Sequence, residues 1–116
     1  MKTRWFSIST VFFLLISMSV IAAPEKEETF KVYGNCNMCK KRIETAAKSV
    51  DGVISADWNV ETKMLDVTYD ESKTDLQRIN EAIAKAGHDT DTVKASDEAY
   101  NKLPGCCKYE RKKETD

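Results

Sequence analysis

Three stretches of the chain alternate between apolar and polar side chains, and this period of two is typical of a half-buried β-strand. They cover residues 28–34, 53–60 and 63–70. A short polar link at residues 61–63 leads from the second stretch into the third and favours a hairpin. A fourth stretch, residues 88–95, has a weaker apolar pattern and is interpreted as one more strand.

Two other stretches place apolar residues three or four positions apart, which is the spacing of one helix face. The first covers residues 39–50, with Gly52 just beyond its end, and the second covers residues 75–87, ending at Gly87. Glycine commonly ends a helix because it adopts a left-handed backbone without steric cost. The sequence therefore predicts two helices with defined ends.

The predicted elements follow the order strand, helix, strand, strand, helix, strand. Each helix joins two strands that can lie parallel in one sheet, and such crossovers are right-handed. This order predicts an α+β, ferredoxin-like βαββαβ open-faced sandwich, in which a four-stranded antiparallel sheet carries both helices on one face. In this prediction the domain spans residues 28–95, and Trp58 belongs to the core of the sheet.

The C-terminal part of the chain lacks a regular pattern. A short helix is predicted up to Leu103, after which Pro104 breaks the chain. The charged end of the chain is expected to fray. Residues 96–116 are therefore predicted to form a partly disordered tail, and this tail carries the adjacent cysteines Cys106 and Cys107.

The N-terminal residues 1–23 have the layout of a secretory signal peptide. Lys2 and Arg4 precede an uncharged, mostly apolar stretch that ends in small residues near Ala23, where cleavage is expected. A retained membrane anchor is the alternative, but the strongly apolar residues 11–23 fall short of the roughly 20 that a spanning helix needs. We therefore expect an exported protein, periplasmic or secreted.

The charge balance argues against nucleic acid as a partner. The formal net charge is −1, and loss of residues 1–23 removes two basic residues and no acidic one. A protein that neutralises phosphates needs a basic excess. Four cysteines in an exported chain would ordinarily suggest two disulfides. Here, however, they form two close pairs, which is not the spread pattern of a disulfide framework.

Cys36 and Cys39 stand two residues apart, in the loop after the first strand and in the first turn of the first helix. Three chemistries use such a pair: a disulfide, a thiol–disulfide redox catalyst, and a clamp for a soft metal ion. Free backbone N–H groups and the helix dipole favour a thiolate at this position. The basic residues that follow add positive potential and lower a thiol pKa further: Lys40, Lys41 and Arg42. Two thiolates suit Cu(I) or Hg(II), whereas structural zinc takes four ligands.

Several segments of the chain together resemble the heavy-metal-associated domain family. They are the sequence Cys-Asn-Met-Cys, the basic amphipathic helix after it, and residues 50–70 and 79–89. This family includes soluble copper chaperones, N-terminal arms of metal-pumping P-type ATPases and periplasmic mercury-binding proteins. The resemblance implies that Cys36 and Cys39 are the metal ligands and that ions pass between partners by ligand exchange. It also implies a metal-transporting membrane protein or another metal carrier as the partner.

One position departs from the family pattern. The family usually has Gly-Met-x-Cys before the first ligand, whereas Tyr33, Gly34 and Asn35 precede Cys36 here. The methionine stands between the cysteines instead, as Met38, where it either offers a thioether to a soft metal or has a packing or solvent-facing role.

Three further residues are candidate ligands. His88, the only histidine, follows Gly87 and is interpreted either as a third ligand or as a surface residue favoured by the helix C-terminus. Cys106 and Cys107 are too strained to pair stably with each other. They either fold back to complete a site of three or four sulfurs, or pass an ion to the next carrier, or form disulfides with another chain or with the first pair.

These observations favour a non-enzymatic, exported carrier or scavenger of a soft metal ion, with Cu(I) as the first candidate and Hg(II) as the second. We expect a monomer, with a metal-bridged dimer as the alternative. One rival interpretation is a periplasmic thiol–disulfide oxidoreductase. The other is a small structural protein held by two disulfides.

Overall fold

A computed structural model describes residues 24–111, so the predicted signal peptide lies outside the described part of the chain. Three strands form one antiparallel sheet in the order β1-β3-β2. They are β1 (Glu25–Lys31), β2 (Val53–Trp58) and β3 (Met64–Asp70). β2 and β3 agree in position with two of the alternating stretches and form the predicted hairpin, whereas β1 lies three residues before the predicted stretch 28–34.

The fourth strand was predicted wrongly, because the described residues contain only an isolated bridge between Val32 and Thr90 at that position. The pairing begins as expected, since the N–H of Tyr33 donates to the carbonyl of Asp89 at 2.9 Å. It ends at once because the Thr90 hydroxyl accepts from the N–H of Val93 at 3.0 Å and turns the chain away. The sheet therefore has three strands instead of four.

The two predicted helices are α1 (Asn37–Lys48) and α2 (Leu76–Lys85). The Asp75 carboxylate caps α2 by accepting from the N–H of Arg78 at 2.9 Å. Gly87, just beyond the end of α2, has a φ of 106°, a left-handed value that favours glycine. The local signals read from the sequence thus place α2 closely, whereas α1 begins and ends two residues earlier than predicted.

Both helices and one face of the sheet share a single core. Alternate strand residues are buried, and the helices contribute the apolar stripe predicted from their spacing. The cluster also holds three residues from the tail. Its members with no exposed surface include Val32, Cys39, Ile43, Trp58, Leu65, Val67, Ile79, Ile83 and Cys107.

The tail contains α3 (Asp97–Asn101) and a 3-10 helix, Gly105–Cys107, which packs against α1. Leu103 and Tyr109 are buried in the common core. The described part of the tail is therefore packed against the domain. Residues 112–116 lie outside the described residues.

None of the helices in the described part of the chain has the length and apolar character needed to cross a membrane.

Candidate metal site

Cys36 is the N-cap residue of α1 and has an extended backbone. The pKa of its thiol is lowered to about 7, chiefly by the nearby backbone N–H of Cys39, with further contributions from the Cys39 thiol and the N–H of Met38. This is the effect expected from free N–H groups at a helix start. Cys36 is thus prepared to act as a thiolate near neutral pH.

Cys39 lies in the first turn of α1 and has no exposed surface. Its sulfur is 3.6 Å from that of Cys36. Two sulfurs that share an ion at about 2.3 Å each lie between about 3.8 Å apart in tetrahedral coordination and about 4.6 Å apart in linear coordination. The pair is therefore about 0.2 Å closer than tetrahedral coordination requires and about 1 Å closer than linear coordination requires, so binding an ion moves the sulfurs apart.

The loop rests on Trp58, which is fully buried. The indole N–H donates to the carbonyl of Val32 at 3.0 Å and thereby holds the ring under the loop. A Cβ on Gly34 would lie 3.0 Å from the Trp58 ring and 3.1 Å from the Cβ of Cys39. Trp58 and Gly34 therefore pack closely against Cys39 beneath the loop.

The tail brings two more thiols to this loop. The sulfurs of Cys36, Cys106 and Cys107 all lie within 4.8 Å of one another. Cys107 has no exposed surface, whereas Cys106 is exposed. Burial raises the pKa of the Cys107 thiol, and the neighbouring thiols of Cys39 and Cys106 raise it further. All four cysteines are free thiols, and they form one cluster.

Met38 adds a fifth sulfur to the cluster of four cysteines. Its side chain is 51% exposed, and its sulfur lies 3.5 Å from the Cys106 sulfur. The loop thioether and the tail thiol therefore touch at the outer edge of the cluster, while Cys39 and Cys107 lie at its base.

His88 is placed apart from this cluster, because the group of mutually close ligand atoms in the described residues contains cysteines and no histidine. Its Nδ1–H donates to the carbonyl of Tyr33 at 2.8 Å, and its ring stacks on Tyr109 at 5.6 Å between centroids. The side chain has no exposed surface, and burial lowers its pKa. It is a neutral core residue, in contrast to the surface position that its place after α2 suggests.

The positive potential expected from the basic residues after Cys39 is partly compensated. The Lys40 ammonium lies 2.6 Å from the Asp57 carboxylate and 2.8 Å from that of Glu44. The main cause of the lowered Cys36 pKa is a backbone N–H group, as described above. The helix start therefore contributes more to this site than the side-chain charges do.

Tyr109 was among the tail residues expected from the sequence to dock on the domain, whereas sequence reasoning did not find Arg111 or its partner Asp89. The Tyr109 hydroxyl accepts from the N–H of Asp89 and donates to the carbonyl of Gly87, both at 2.8 Å. The Arg111 guanidinium binds both oxygens of the Asp89 carboxylate, at 3.1 and 2.9 Å. The only signal was compositional, namely an aromatic and a basic residue just after the cysteine pair.

Comparison with known proteins gives a consistent result for the first part of the described chain. Residues 29–89 match the model of the heavy-metal-associated domain family. The copper chaperone CopZ of Staphylococcus aureus is 39% identical over 64 residues, which is 54% of this chain and 94% of CopZ. Cys106 and Cys107 lie beyond the segment that the family model matches.

Solved structures agree with the sequence matches. A CopZ metallochaperone superposes with a TM-score of 0.54 at 38% identity, covering 56% of this chain and 98% of its own. Oxidized MerP from Ralstonia metallidurans CH34 gives a TM-score of 0.55 at 32% identity, with 58% and 94% covered. A Cu(I)-loaded N-terminal domain of a potential copper-translocating P-type ATPase from Bacillus subtilis gives 0.55 at 25% identity, with 58% and 85% covered.

Proposed function

Because the chain belongs to the heavy-metal-associated domain family, we propose that it binds a soft metal ion and passes it to a partner by ligand exchange. The observation that carries the proposal is the pair of sulfurs 3.6 Å apart at the start of α1, with the pKa of Cys36 lowered to about 7. The similarity to a copper chaperone supports carriage of the ion rather than catalysis.

Cys36 and Cys39 are the main ligands in this proposal, and Cys107 is a third. Cys107 is buried beside them and keeps its proton until an ion displaces it, because its pKa is raised. The partly exposed Cys36 is the sulfur that an acceptor reaches first. Exchange then proceeds from this sulfur towards the buried ones, with each incoming acceptor thiolate replacing one ligand.

Cu(I) is the proposed cargo, and Hg(II) is the alternative. Thiolates favour both ions over hard cations. The copper chaperone and the Cu(I)-loaded ATPase domain among the similar proteins support copper. The oxidoreductase alternative gains no support from these matches.

The proposed place of action is the periplasm or the exterior of the cell, because residues 1–23 have the layout of a signal peptide. A metal-transporting membrane protein is the proposed acceptor, and the likeness to an ATPase N-terminal domain supports it. N-terminal sequencing of the protein purified from the export compartment tests this part. A chain that starts at Met1 would contradict cleavage.

The test of metal binding is anaerobic mass spectrometry of the reduced protein with Cu(I), Hg(II) and Zn(II) in competition. We expect Cu(I) to be retained in preference to Zn(II). The double variant Cys36→Ser/Cys39→Ser should lose at least 100-fold in Cu(I) affinity, since it removes both main ligands. Met64→Leu removes a methionine sulfur from β3, outside the Cys-x-x-Cys loop and the tail, and is the matched control that should bind normally.

Two outcomes would contradict the proposal. One is undiminished Cu(I) uptake by the double variant. The other is reduction of insulin disulfides by the metal-free protein at the rate of a dedicated oxidoreductase.

A further inference from the structure

The sulfur cluster has an inner and an outer part. The inner part consists of Cys39 and Cys107, which have no exposed surface. The outer part consists of Met38, which is 51% exposed, and the exposed Cys106. Cys36 is intermediate in burial and is close to both parts, at 3.6 Å from the Cys39 sulfur and within 4.8 Å of the Cys106 sulfur.

One Cu(I) ion leaves part of this cluster unused. Thiolate and thioether sulfurs select Cu(I), which is satisfied by few ligands, and the cluster offers five sulfurs. Four thiolates around one monovalent ion also leave a large uncompensated negative charge, which is costly where two of the sulfurs are buried. Lys40 does little to offset this charge because it is already paired with two carboxylates.

We propose that the protein binds a second Cu(I) ion at the outer part of the cluster, between the Met38 thioether and the Cys106 thiolate, with Cys36 shared between the two ions. This inference rests on the proposed function, since it places the second ion next to the one held by Cys36, Cys39 and Cys107. The Cys106 sulfur lies 3.5 Å from the Met38 sulfur, so both reach one ion with small side-chain movements.

The outer position differs chemically from the inner one. A thioether is a soft, uncharged ligand that suits Cu(I) and binds Zn(II) poorly. When the second ion binds, its bond to Cys106 replaces the S–H bond, and the proton passes to solvent. Copper stays monovalent, and no electron is transferred. Because both ligands are exposed, this is also the position that exchanges more readily with solvent and with small thiols.

The fixed tail holds Cys106 at the outer part of the cluster. Tyr109 and Arg111 fasten the chain just after the cysteine pair through hydrogen bonds to Gly87 and Asp89. The backbone carbonyl of Cys106 lies 3.5 Å from the Cys36 sulfur, so the residue is held against the loop. Cys106 therefore meets Met38 through the fold and not through chance encounters of a free tail.

The experiment is an anaerobic Cu(I) titration of the reduced protein, followed by native mass spectrometry and by competition with a chromophoric Cu(I) chelator. We expect two ions per monomer. Met38→Leu keeps the size of the side chain but removes the thioether, and it should weaken the second ion at least tenfold while leaving the first unchanged. Cys106→Ser should abolish the second ion. Met64→Leu is the control and should retain both.

X-ray absorption at the copper edge gives an independent readout, because two ions that share a thiolate produce a copper–copper signal. Binding of only one ion by the wild type would overturn the inference, as would a second ion that survives both outer substitutions or that appears only in dimers. In those cases the loss of Cu(I) binding in Cys36→Ser/Cys39→Ser would still support the proposed function. Failure of the wild type to bind even one ion would overturn both.

Discussion

Cys36 occupies the N-cap of α1, where serine, threonine, asparagine or aspartate is the common choice. The Cys36 side chain makes no capping hydrogen bond in the structure, but the nearby backbone N–H groups of Met38 and Cys39 still favour a thiolate there. The start of the helix therefore activates the ligand. The sequence allowed this inference because the largest cause of the lowered Cys36 pKa lies at the helix start.

The lowered pKa of Cys36 predicts a pH profile. In the reduced, metal-free protein, alkylation of Cys36 by iodoacetamide should rise about tenfold per pH unit below pH 7 and level off above about pH 7. The sign follows because the thiolate is the nucleophile and predominates above its pKa. Mass spectrometry of the modified peptides measures this rate. In denaturant the inflection should move up to about 8.5, the value of an unperturbed cysteine.

An inflection near 8.5 in the folded protein would contradict this account of the helix start. Cys107 supplies the internal comparison, because its raised pKa and burial should keep its alkylation slow over the same pH range.

Gly34 predicts a packing effect at the same loop. Gly34→Ala should lower the free energy of unfolding by about 1–2 kcal/mol, because the added Cβ would press on the buried Trp58 ring and on Cys39. Gly105→Ala is the matched control. No atom lies within 4 Å of a Cβ added there, so its stability should be unchanged. Urea unfolding followed by Trp fluorescence measures the free energy of unfolding of both variants. Equal values for the two variants would show that the loop shifts to accept the added methyl group without loss of stability.

The tail from α3 to Arg111 is the element that sequence patterns describe least well. Its short helix and the break after it are both local features, and both were predicted. Its attachment depends on partners far along the chain, of which Asp89 is the most important. The side chains of Arg111 and Asp89 are only 16% and 9% exposed, so this ion pair is largely withdrawn from water.

Arg111→Ala should therefore cost about 3 kcal/mol, since it leaves the Asp89 carboxylate largely buried without its main partner. Lys102→Ala is the control, because its ion pair with Glu98 spans 3.9 Å and is highly exposed, and such pairs contribute at most about 1 kcal/mol. Thermal unfolding measures the stability, and amide exchange of residues 103–109 reports on tail attachment. Unchanged exchange in Arg111→Ala would show that Tyr109 alone fastens the tail.

At the scale of the whole molecule, domain and tail share one hydrophobic core. Leu103 is 4% exposed and packs against Gly87, where an added Cβ would lie 2.9 Å from the leucine side chain. A core that crosses the predicted boundary near residue 95 should unfold as one cooperative unit.

Leu103→Ala should accordingly lower the stability of the entire described fold by about 2–4 kcal/mol. Ile54→Ala is the matched control, since Ile54 is 54% exposed and should lose much less. Circular dichroism and Trp58 fluorescence should give the same unfolding midpoint in each variant. Two separate unfolding transitions, with the midpoint of the domain unchanged in Leu103→Ala, would mean that the tail unfolds independently of the domain.

The amino-acid sequence alone determined the elements with local causes. The alternating stretches gave β1, β2 and β3, the helical spacing gave α1 and α2, and the position of Cys36 at a helix start explains its chemistry. Each of these depends on residues only a few positions apart.

Tertiary structure decided the rest. It replaced the fourth strand by a turn at Thr90, placed His88 in the core, which is neither the ligand position nor the surface position considered for it, and placed Cys106 and Cys107 against the first pair. These outcomes depend on contacts between distant segments, such as Arg111 with Asp89 and Cys106 with Met38. The spacing of apolar residues along the chain does not predict such contacts. They stabilise the protein only after the long loops between the two segments have closed.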